Sequence, residues 1–156
     1  MTLQKTPEQA GIELPAYVPL PAGLAFRLYS KQGQTLYISG HISDAHGTEP
    51  IRGRLGEDVD VETGREAARR VALNLLATLN EVAGGLENVA RILKLTGFVA
   101  SADDFTAQPA VINAASEIFA DLWGESGLHA RSAIGVAQLP FGAPVEIELI
   151  VELEPE

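Results

Sequence analysis

Arg131 is the strongest candidate for anion binding in this chain. A guanidinium holds a carboxylate through two parallel hydrogen bonds, which fixes orientation as well as charge. Glu146 and Glu148 lie further along, and period-two spacing sets them about 7 Å apart on one side of a strand. A carboxylate beside a bound substrate can orient water for attack. Arginine plus glutamate can therefore hold a small carboxylate and orient water beside it, or the same groups could instead form a purely structural ion pair at a subunit contact. Ser39 and Tyr37 add hydroxyls from an earlier apolar run. His41, His46 and His129 lack the paired spacing of a zinc site, so no metal is expected. His41 and His129 sit close enough to these runs to reach a cleft, with loop histidine as the plainer role. Gly84-Gly85 has no lysine and no strand–helix context, so it is not a phosphate loop.

The elements that must position these groups can be read from periodicity. Pro7, Pro15, Pro19 and Pro21 make residues 1–24 an extended arm, and residues 25–156 form a single domain. Two short strands, 25–30 and 34–40, flank a turn at Lys31-Gln32-Gly33. The segment 41–60, with Gly47, Pro50, Gly53 and Gly56, reads as a long loop. Asp60 or Thr63 caps a helix with an apolar stripe at Ala68, Val71, Ala72, Leu75, Leu76, Leu79 and Val82, stopped by Gly84-Gly85. A strand at 92–100 follows. A second helix starts near Pro109 and ends at Gly124, striped by Val111, Ile112, Ala115, Ile118, Phe119 and Leu122. Trp123 and Phe119 read as core, and Asn113 as a local hydrogen-bonding residue. Strands at 131–137 and 145–153 close the chain. The order predicts an α+β fold: one mainly antiparallel sheet with both helices on one face.

Alternation assigns the faces. Val145, Ile147, Leu149, Val151 and Leu153 belong under the helices, with Leu93, Leu95 and Val99, Leu36 and Ile38, and Ile134 and Val136. The opposite face would carry Tyr37, Ser39, Thr96, Arg131, Glu146 and Glu148. It also carries Phe98, Ala133, Ala137 and Ile150, too apolar for open water, so a homo-oligomer is expected to cover it.

Composition narrows the function classes. With 11 Lys and Arg against 21 Asp and Glu, the net charge is −10, which argues against nucleic acid as the main partner. Arg65, Arg69 and Arg70 share helical spacing and read as a solvated face. No apolar run is long enough to cross a bilayer, and no secretory signal opens the chain. Cysteine is absent, which excludes disulfides and thiol chemistry and fits a cytoplasmic protein.

Several stretches then resemble one known family. Leu36-Tyr37-Ile38-Ser39-Gly40 resembles the opening strand motif of the reactive-intermediate deaminases, also called YjgF-like or RidA-like. The run from Ala130 to Pro140 resembles their signature, and Val145 to Ile150 their closing strand. Val111-Ile112-Asn113-Ala114 and Ile118-Phe119 match the second helix. The resemblance spans about residues 25 to 153. It implies a chorismate-mutase-like fold, a homotrimer with clefts between subunits, and no cofactor. It implies hydrolysis of enamines and imines such as 2-aminoacrylate and 2-iminopropanoate to 2-keto acids and ammonia. By resemblance, Arg131 would hold the substrate carboxylate and Glu146 would position water. Ser39 would help line the site with Gly40, Phe26, Ala133 and Tyr37. Two departures stand out: Phe26 takes the place of a tyrosine, and Gly135 that of a glutamate. The alternative is a trimeric module that binds small carboxylates or partner proteins without turnover. Endoribonuclease, a name attached to some relatives, sits poorly with the acidic charge.

Overall fold

The computed structural model describes residues 2–45 and 47–156; His46 lies outside the described residues. Strands β1 (Tyr29–Gln32), β2 (Thr35–Ile42), β3 (Val89–Ala100), β4 (Ala130–Val136) and β5 (Val145–Leu153) form one sheet in the order β1-β2-β5-β3-β4. Helices α1 (Val61–Val82) and α2 (Gln108–Trp123) pack on the same face and against each other. Pairing is antiparallel except between β3 and β4, which run parallel. Parallel neighbours need a crossover, and α2 supplies it. The sheet is therefore mixed.

Local chemistry explains most element ends. The Asp60 side chain accepts from the Thr63 backbone N–H at 2.8 Å and caps α1. Pro109 sits in the first turn of α2, where its missing N–H is harmless. The hairpin is tighter than the sequence suggested. Gln32 pairs with Thr35, so the turn is Gly33-Gln34, with Gly33 at φ 59° as a two-residue loop requires. Residues 25–28 consequently precede the first strand.

The helix stripes and the odd positions of β5 form the core, as alternation predicts. Trp123 is wholly buried and donates its indole N–H to the Val89 carbonyl at 3.1 Å. Two face assignments are corrected. A register shift between Ile92 and Lys94 turns Ile92 into the core in place of Leu93. In β4 the faces are inverted: Arg131, Ala133 and Gly135 pair with Leu95, Gly97 and Val99 on the helix side, while Ile134 is exposed on the other face. Gly135 lies close under α2: a methyl group there would come within 2.7 Å of Gln108 Nε2, so the Gln108 side chain would have to move.

The arm and the long loop are both tied down. The Gln4 N–H donates to the Leu122 carbonyl at 2.8 Å, and Leu3, Ala10, Ile12 and Leu14 pack on the core. In the 41–60 segment, Leu55 is fully buried and exchanges backbone hydrogen bonds with Ala100 and Ala102. Arg52 grips Asp44 with two bonds of 2.7 Å. No described helix is long and apolar enough to cross a membrane.

Candidate active site

Arg131 lies on the edge strand β4 and reaches over to α2. Its Nη1 donates to Asn113 Oδ1 at 2.8 Å and to Ser116 Oγ at 3.2 Å. Both acceptors are neutral, and among the described residues no carboxylate pairs with Arg131. Two hydrogen bonds thus orient the guanidinium while its charge stays uncompensated. Ala133 follows on the same face and packs against the core.

Glu146 lies on the other side of the sheet. It pairs with Phe98 of β3 and Ile42 of β2, and Thr96 pairs with Glu148 beside it. Burial raises the Glu146 carboxyl above its ordinary range, and the charge of Glu148 pushes the same way. The register shift between Ile38 and His41 interrupts β2 at Ser39 and Gly40. Gly40 presses against Glu146, and a methyl group there would stand 2.9 Å from Glu146 Cδ. The Ser39 hydroxyl donates to the Arg27 carbonyl at 2.6 Å. Tyr37 and Glu148 line a groove of about 430 Å³ with Arg27, Tyr29 and Ser39. Phe26 stands 58 % exposed in the segment before β1.

One protomer therefore separates the residues that the sequence put on one face. Ser39, Gly40, Tyr37, Glu146 and Glu148 belong to the open side, whereas Arg131 and Ala133 belong to the helix side. The inversion of β4 is the reason.

His41 is enclosed rather than free. Its Nδ1 lies 2.8 Å from the Ser39 carbonyl and its Nε2 2.8 Å from Thr78 Oγ1. A carbonyl only accepts, so Nδ1 carries the proton and Thr78 donates to Nε2. Burial lowers the pKa of His41, which keeps the ring neutral near pH 7. His129 stacks edge-on against Phe119, 6.3 Å between centroids, and burial lowers its pKa as well. The described residues contain no group of three or more His, Asp or Glu arranged to hold a metal ion.

Sequence reading gave Asn113 a local hydrogen bond, but missed that Asn113 and Ser116 both accept from Arg131. Their signal was present: two polar residues three apart in a mostly apolar helix share one face. It also missed Phe141, 80 % exposed with φ 61° at the tip between β4 and β5. Such a backbone is costly for an aromatic residue, and nothing in the composition announces it.

Residues 21–153 match the family model described as endoribonuclease L-PSP. The chain belongs to this family, that of the YjgF-like and RidA-like proteins. It is 40% identical over 147 residues to protein TCP17 of Trypanosoma cruzi, covering 94% of this chain and 91% of the relative. It is 32% identical over 123 residues to the 2-iminobutanoate/2-iminopropanoate deaminase of Dermatophagoides farinae, covering 78% and 80%. A solved structure of a protein of unknown function from Agrobacterium tumefaciens superposes with a TM-score of 0.84 at 39% identity, over 94% of this chain and 89% of that one. The α+β fold of this family member is thereby the one that its motifs implied.

Proposed function

We propose that this protein hydrolyses small enamines and imines of the 2-aminoacrylate and 2-iminopropanoate type to 2-keto acids and ammonia. The observation that carries the reading is Arg131, held by two neutral oxygens and, among the described residues, without a carboxylate partner in a chain of 21 acidic residues. An oriented arginine in an acidic protein selects a small anion and repels a large one. The name of the mite relative, 32% identical, supports the same chemistry.

Arg131 would bind the substrate carboxylate. Glu146 would take a proton from water as its oxygen attacks the protonated imine carbon and would pass that proton to the nitrogen of the resulting carbinolamine. As the C=O bond forms, the C–N bond breaks, ammonia leaves and the hydroxyl proton goes to Glu146. An enamine must first be protonated on carbon, and a carboxyl held above its usual range keeps a proton to higher pH. Imines hydrolyse readily, so positioning supplies much of the required gain. Because Arg131 and Glu146 occupy opposite faces of one protomer, the site would form between subunits of a trimer. Arg131 and Ala133 would come from one chain, and Ser39, Gly40 and Glu146 from its neighbour, with Phe26 and Tyr37 at the rim.

Keto-acid formation from enzymatically generated 2-aminoacrylate, with semicarbazide competing for the imine, tests the reading. Wild type should outrun the uncatalysed reaction, and Arg131→Ala should fall to the uncatalysed rate with its oligomeric state unchanged. An Arg131→Ala protein that retains full activity overturns the assignment. Phe26, which offers no hydroxyl, favours a second reading: a module that binds small carboxylates without turnover. Saturable keto-acid binding with no product from any imine would select it.

A further inference from the structure

A groove of about 710 Å³ opens at Gly40, His41 and Ile42, on the edge of β2 that β1 leaves uncovered. The arm forms one wall through Pro15, Ala16 and Val18; Leu28, Ile42, Ala45 and Pro50 add further apolar surface. Gly40 belongs to this wall as well, and it is the residue that lies against the Glu146 carboxyl. Gly40 is thus the residue through which the groove and Glu146 adjoin, and a side chain there would press on the carboxyl.

The polar groups in the wall are already spent. Both ring nitrogens of His41 are bonded, to the Ser39 carbonyl and to Thr78. The Asn74 amide donates to the carbonyls of Ile42 and Asp44, each at 2.9 Å. Both Asp44 oxygens hold Arg52. A ligand part lodged here meets no unpaired charge and no idle amide, so an apolar group fits best. The volume far exceeds a methyl group and lies within the range of pockets that enclose whole small molecules.

We infer that this groove receives the side chain of the substrate, and that the protein prefers 2-imino acids with a long apolar side chain, of the kind formed from leucine, methionine or phenylalanine, over 2-iminopropanoate. The inference rests on the deaminase reading and names its substrate class. The arm thereby acts as a specificity element, because three of its residues close the groove.

The test generates imines from alanine, leucine and phenylalanine with an amino-acid oxidase and measures kcat/KM for each by semicarbazide competition. Wild type should favour the leucine- or phenylalanine-derived imine at least about tenfold, a difference that one or two methylenes in an apolar pocket can supply. Ala16→Trp, on the exposed arm, and Ala45→Leu, on the facing wall, should each collapse that ratio. A flat wild-type preference, or a ratio unmoved by both variants, overturns the inference and leaves the deaminase reading standing. If no imine is turned over, the deaminase reading fails, and calorimetric titration with 4-methyl-2-oxopentanoate and 2-oxopropanoate decides the groove. Selective binding of the longer keto acid, lost in both variants, keeps it as an apolar site; equal or absent binding removes it.

Discussion

Glu146 carries a cost that follows from its place in the fold. Its pKa is raised, so the folded protein holds a proton where the unfolded chain has lost one. Stability therefore falls as pH rises from the ordinary carboxylate range through the raised value, and it stays lower at neutral pH. Glu146→Gln should raise the melting temperature at pH 7 and lose that advantage in acid, while turnover drops; a variant destabilised at pH 7 would contradict this. His41 works in the opposite sense. Burial depresses its pKa, so stability is present above its unfolded value near 6.5 and is lost as pH falls through that range. His129 adds to the same loss. A thermal scan from pH 7 to 5 should show a shallower decline for His41→Gln than for wild type. At this scale the sequence was partly legible. Residue types singled out Arg131 and Glu146, but not the bond from Arg131 to Asn113 nor the partners Ser116 and Thr78, because a hydrogen bond between elements needs the packing that creates it.

At the scale of elements, legibility followed how local the cause was. The cap at Asp60 and the stops at Gly84-Gly85 and Gly124 depend on a few adjacent residues, and they occur where the pattern put them. Asp60→Ala should cost about 1 kcal/mol in chemical denaturation, the usual worth of an N-cap; no change would mean that packing alone ends the helix. The hairpin slipped because Gly33 suits more than one turn, and cross-strand pairing with β2 decides among them. β4 was inverted for a related reason. Ile134 and Val136 look like core beside Ala133 and Gly135, yet Gly135 lies close to Gln108 of α2 and Ala133 packs on the core, so the small residues face inward. Alternation gives the phase of a strand; its sign comes from what packs above it. Trp123, by contrast, was legible as core, and Trp123→Ala should cost roughly 3–5 kcal/mol, read as a lowered denaturation midpoint.

Across the whole molecule, the inversion of β4 changes what an oligomer must do. Had Arg131 and Glu146 shared a face, a single protomer could have held both. Instead the guanidinium points to α2, and the carboxylate lies on the open face with Tyr37, Phe98, Ile134 and Ile150. That open face is partly apolar, a property expected of a surface that another copy covers. If a site takes Arg131 from one subunit and Glu146 from the next, two inactive variants can repair each other. Arg131→Ala and Glu146→Gln protomers, unfolded together and refolded as a mixture, should regain about one quarter of the wild-type activity, because random pairing around a closed ring leaves that share of sites with both side chains intact. Each variant refolded alone should stay inactive. If both side chains of a site came from the same subunit, every site in the mixture would lack one of them and no activity would return. The complementation assay therefore reads the architecture of the site directly, and it does so without requiring the natural substrate, since any imine turned over by wild type suffices.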